Sequence, residues 1–76
     1  MAKVNYYTTD RKLIFKRLLY LSKNYFGVKI PPVDSPIVSL HDTKINNVRT
    51  VVLEYENRKE IFTLIGRNYY DKVEES

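Results

Sequence analysis

The chain has no cysteine, no tryptophan, one histidine and only two glycines among its 76 residues. Without cysteine there are no disulfides, no thiolate zinc sites and no cysteine nucleophile. A single histidine excludes a histidine-rich metal site. Gly27 and Gly66 lie 39 residues apart, so neither a phosphate-binding loop nor a dinucleotide fingerprint can be written. No apolar run approaches the roughly 18 residues that a membrane span requires. Met1-Ala2-Lys3-Val4 lacks the hydrophobic stretch of a signal peptide, and a cytoplasmic location is the expectation.

What the chain does have is 43% apolar and 29% charged residues, the balance of a folded domain. A core in so short a chain seldom supplies more than about 3–5 kcal/mol of net stability. Dense aromatic packing or association with a partner is the usual remedy, and seven Tyr with three Phe favour the former. A single domain over residues 1–70 is expected, followed by a short acidic tail, 71–76, that frays.

One helix is predicted from about Arg11 to Phe26. Asp10 is the N-cap candidate, because its carboxylate can accept from the unpaired amides of the first turn. Gly27 suits a left-handed residue after the helix, and Pro31-Pro32 prevents its resumption. At 100° per residue, Ile14, Phe15, Leu18, Leu19, Leu21, Tyr25 and Phe26 share one arc as the core face. Lys3 to Thr8 has the content of a short strand, and Val28 to Pro36 reads as an extended connection. Ile37–His41 is a candidate strand, followed by a turn around Lys44 to Asn47. Arg49–Tyr55 and Glu60–Ile65 read as a hairpin with Asn57-Arg58 in its loop, Leu53 facing Phe62 and Val51 facing Leu64. The expected class is α+β, an amphipathic helix on an antiparallel sheet of three to four strands in the order β-α-β-β-β.

The net charge of +4 is unevenly spread. Seven basic residues against one acidic give +6 in residues 1–30; six against eight give −2 in residues 31–76. Lys12, Lys16 and Lys23 fall in one stripe of the helix, while Leu13, Arg17, Tyr20 and Asn24 point outward. Arg11 and Lys12 sit in the first turn, where the helix dipole favours anions, a local conflict of the kind that marks functional surfaces.

Catalytic groups are scarce. His41 and Asp42 are neighbours on a strand and therefore point to opposite faces, which rules out a relay. Glu54, Glu56 and Glu60 form a carboxylate cluster, but Arg58 and Lys59 in the adjoining turn would neutralise it. The tripeptide Asn-Tyr-Tyr occurs at 5–7 and 68–70, and strand alternation should turn one Tyr of each pair inward and one outward.

The expectation from sequence is therefore a small basic nucleic-acid-binding or regulatory protein and not an enzyme, with no metal or small-molecule cofactor. Arg11, Lys12, Lys16, Arg17 and Lys23 would contact phosphates, and Tyr20 would pack on sugar or base. The rival expectation is a protein-interaction module with no nucleic-acid binding, a homodimer or a small inhibitor or adaptor of an acidic protein partner. It would use Leu13, Arg17, Tyr20 and Asn24.

Overall fold

A computed structural model describes residues 5–75. The elements are β1 (Asn5–Thr8), α1 (Arg11–Asn24), β2 (Ile37–Ile45), β3 (Val48–Tyr55), β4 (Lys59–Ile65) and β5 (Tyr69–Glu75). All five strands join one antiparallel sheet in sequence order, and α1 lies over one face of it. The α+β class and the single helix agree with the sequence reading, but the sheet has five strands instead of three or four. Lys3 and Val4, expected in the first strand, lie outside the described residues. No described helix is long and apolar enough to cross a membrane.

The extra strand is the segment expected to fray. Tyr69–Glu75 pairs with β4 from Ile65 back to Glu60. Its charges made it look like a tail, yet an edge strand has one open side and tolerates charge well. Tyr70 anchors it: the ring is buried and packs edge-on against Tyr25, with centroids 5.2 Å apart. Ser76 lies outside the described residues.

Asp10 caps the helix as expected, accepting from the Lys12 amide at 2.9 Å. The helix ends at Asn24, two residues earlier than predicted. Only Ile14, Leu18 and Leu21 are fully buried from it, an i, i+4, i+7 line. Leu19 and Phe26, both expected in the core, are 47% and 66% exposed. A single helix lying across β2 buries a narrower arc than a bundle helix does, and Phe26 has already left it.

Across the sheet, Leu40, Val51, Leu53, Tyr55, Phe62 and Tyr70 complete the core beneath the helix. The turn between β2 and β3 uses Asn46 and Asn47 with φ of 53° and 67°, the two left-handed positions of a tight hairpin. In the next hairpin the Tyr55 amide donates to the Arg58 carbonyl, so Glu56-Asn57 form the loop. Leu53 faces Glu60 and Val51 faces Phe62, a register two residues from the one predicted. An even shift leaves every side chain on its predicted face. Arg58 stacks over the Tyr55 ring at 4.0 Å, while Glu60 accepts from the Tyr55 hydroxyl at 3.0 Å and pairs with Arg58 at 3.0 Å. These contacts select Tyr55–Arg58 as the closing pair.

Gly27 (φ 92°) is left-handed as expected but lies past the helix, whose C-cap is the extended Tyr25, and its conformation serves a different contact. Phe26 forms a parallel bridge to Tyr69, its amide donating to the Asn68 carbonyl at 2.7 Å and its carbonyl accepting from the Tyr70 amide at 2.7 Å. A Cβ on Gly27 would lie 1.9 Å from the Tyr70 carbonyl oxygen. Gly27→Ala is therefore expected to cost about 1–3 kcal/mol from backbone strain, with the clash added to it. Gly66→Asn, where nothing lies within 4 Å of the added Cβ, should cost much less. Urea denaturation of the two variants gives the comparison.

Candidate nucleic-acid interface

Asp42 lies on the helix-facing side of β2, two residues from the core residue Leu40, and its side chain has no exposure to solvent. A buried carboxylate requires compensating donors. Two arginines supply them. Arg17, from the helix, donates to Asp42 Oδ2 through Nε at 3.0 Å and Nη2 at 2.8 Å. Arg49, from β3, reaches Oδ1 through Nε at 3.5 Å and Oδ2 through Nη2 at 3.3 Å. Arg49 Nη1 also donates to the Tyr25 hydroxyl. Burial pulls the Arg49 pKa down, but the hydrogen bond and charge of Asp42 outweigh it, and the net direction is upward.

Four aromatic rings surround this ion cluster. The Arg17 guanidinium sits 4.7 Å from the Tyr6 centroid and 4.9 Å from that of Tyr20, so it is held between a strand and its own helix. Arg49 lies 5.1 Å from the Tyr25 ring, and Tyr25 meets Tyr70 edge-on. Burial pushes the Tyr70 hydroxyl up from its ordinary value. On the solvent side, Tyr6, Leu13, Lys16, Arg17 and Tyr20 line a depression of about 250 Å³.

Of the phosphate-contact candidates, Lys12, Lys16 and Lys23 are exposed and make no ion pair among the described residues. The two arginines are committed elsewhere. Arg11 is turned to the connection after the helix, where Nη1 donates to the Ser35 carbonyl at 2.8 Å and Nη2 to that of Val33. The first-turn conflict is thereby explained in part: Arg11 holds down the proline-rich segment. Arg17 is bound to Asp42. Tyr20 is 45% exposed, and Leu13 and Lys16 share its depression. Asn24 is turned back on its own helix, donating to the Tyr20 carbonyl at 2.8 Å.

Sequence reasoning missed Tyr6, Tyr25, Asp42 and Arg49 as parts of this cluster. In the sequence Asp42 stands out only as the neighbour of His41, which the strand turns to the opposite face, where it bonds Asn5 Oδ1 at 3.0 Å. The signal was present in the i, i+2 spacing from Leu40. Each Asn-Tyr-Tyr pair does split: Tyr6 and Tyr70 turn toward the helix, Tyr7 and Tyr69 away. The carboxylates divide as well. Glu60 pairs with Arg58 and Lys72, whereas Glu54 faces Lys59 across the hairpin and Glu56 is exposed. Burial raises the Glu60 pKa, but donors from Arg58, Tyr55 and Lys72 reverse this and hold it below the usual carboxylate value. Among the described residues, no three His, Asp or Glu side chains converge as a metal centre would need.

Removing Asp42 would leave two arginines around an apolar void. Asp42→Ala is expected to cost about 3–5 kcal/mol, comparable to the whole stability of so small a domain. Glu56→Ala, at an exposed loop position, should stay within about 0.5 kcal/mol. Denaturant midpoints check both.

Comparison with protein-family models, with curated proteins and with solved structures finds no match for this chain.

Proposed function

We propose that this protein binds nucleic acid through the outer face of α1 and has no catalytic activity of its own. The observation that carries the reading is the pairing of a lysine stripe with an aromatic depression on one surface. Lys12, Lys16 and Lys23 are exposed cations without ion-pair partners among the described residues. They are spaced about 6 Å and 10 Å apart along the helix axis. Tyr20 lies between them in sequence and offers the exposed part of its ring.

Three lysines provide attraction to a phosphate backbone that carries no sequence information. Tyr20 adds a ring on which a sugar or base can stack, and Leu13 widens the apolar floor. Arg17 contributes through geometry: it holds Tyr6 and Tyr20 in place while its donors are taken by Asp42, a carboxylate it shares with Arg49. Such a protein would work wherever nucleic acid is accessible, and a cytoplasmic, regulatory role fits that chemistry.

Fluorescence anisotropy with random-sequence DNA and RNA oligonucleotides, single- and double-stranded, at about 50 mM salt tests the proposal. Replacing Lys12, Lys16 and Lys23 together by Ala should weaken binding to all of them at least ~10-fold, because the backbone term is lost uniformly. Tyr20→Ala should weaken single-strand binding by about 1–3 kcal/mol and duplex binding less. No binding by the unaltered protein at low salt would overturn the proposal and leave this face to an acidic protein partner.

A further inference from the structure

We propose that the face of the sheet turned away from α1 is an interface with a second copy of this chain. A sheet with one solvated face normally alternates apolar and polar residues. Here Thr50-Val51-Val52-Leu53 and Ile61-Phe62-Thr63-Leu64-Ile65 are apolar or threonine on both faces, the pattern of strands covered on two sides. Yet the helix covers only one side.

The open face can be read row by row from the strand register. One row runs Asn5, Thr43, Thr50, Thr63, Asp71 across β1 to β5. The row toward one end holds Ile45, Val48, Ile65 and Tyr69, and the row toward the other runs Tyr7, His41, Val52, Ile61 and, on the edge strand, Glu74. The central strands carry no charge in these three rows. Glu54 falls beyond them, at the rim, opposite Lys59.

The layout is close to symmetric about β3. Thr43 on β2 corresponds to Thr63 on β4, and Ile45 to Ile65. That is what an isologous interface needs, since each patch must complement itself. With a twofold axis along β3, β4 of one copy lies over β2 of the other. Ile65 is then set above Ile45, beside a hollow of about 380 Å³ lined by Ile45, Val48, Thr50, Ile61 and Thr63. The same axis brings Asn5 over Asp71. Asn5 already uses its oxygen to bond His41, so its amide hydrogens remain to donate to that carboxylate.

Size and charge agree with this occupant. Five strands at about 4.8 Å spacing and seven residues at about 3.3 Å give a face of roughly 550 Å² in plan. Two such faces bury about 1,100 Å² before side-chain relief is added, above the ~1,000 Å² expected of a specific interface. The same axis turns the two copies' Glu54 toward each other at the rim, where Lys59 lies opposite each on the next strand; the lysine stripe on the helix side has no such counter-charge among the described residues.

The test is molecular mass by sedimentation equilibrium at about 100 μM protein, where micromolar or tighter association is fully populated. The unaltered chain should run at about 18 kDa, twice its 9.1 kDa. Ile45 and Ile65 are each 51% exposed, so Ile45→Lys with Ile65→Lys should leave the circular dichroism unchanged and return the mass to 9.1 kDa. Leu13→Glu with Tyr20→Ala, on the helix side, should remain a dimer. A monomeric unaltered chain would overturn the proposal, as would a dimer that survives the lysines on the open face or one that dissolves with the helix-face pair.

Discussion

Asp42 is the point on which the helix and the sheet agree. A carboxylate without solvent in the core of a 76-residue chain is unfavourable unless charged donors surround it. Arg17 comes from the helix and Arg49 from the next strand, so the three residues tie the two layers at one spot. The tie also sets the helix's rotation. With Arg17 facing Asp42, Ile14, Leu18 and Leu21 point into the core, and Lys12, Lys16 and Lys23 are left outside. Tyr6 and Tyr20, each with its ring against the Arg17 guanidinium, extend the same constraint to β1 and the surface.

This arrangement divides the molecule chemically. The helix side is basic, with one aromatic depression whose walls are held by a buried ion cluster. On the far side the central strands carry no charge across three rows, where threonine, valine and isoleucine predominate. A polyanion suits the first surface and an apolar counterpart the second. If two copies meet through their open sheets, the lysine stripes come to lie on opposite outer faces of a four-layer assembly. Both readings are then compatible within one particle, since neither surface is consumed by the other.

Much of the fold was legible because local signals agreed. Asp10 and the apolar spacing from Ile14 to Leu21 announce a helix start and a buried stripe; the turn expected around Lys44 to Asn47 is tighter, because β2 runs on from His41 to Ile45 and leaves only Asn46-Asn47 between the strands. The fifth strand was not legible. Asp71, Lys72, Glu74 and Glu75 carry the composition of a tail, and what makes the segment a strand is Tyr70 entering the core and Phe26 bridging to Tyr69, both distant in sequence. The hairpin register failed for a related reason, because the stacking of Arg58 on Tyr55 outweighs a generic preference for loop residues. At the candidate interface the lysines are exposed as the helical wheel implies, whereas the arginines are not separable from them by sequence. A helical wheel shows direction but not reach. Arg11 bends back to carbonyls of the proline-rich connection, and Arg17 reaches inward to a strand 25 residues away.

The claim that the arginines serve the fold while the lysines face the ligand is open to one direct measurement: the salt dependence of nucleic-acid affinity. Three phosphate contacts predict a slope of log K against log salt of about −2 on single strands and about −2.7 on duplex. A slope of about −3.5 to −4.5 would mean that five cations meet phosphates, Arg11 and Arg17 among them, and would contradict the account.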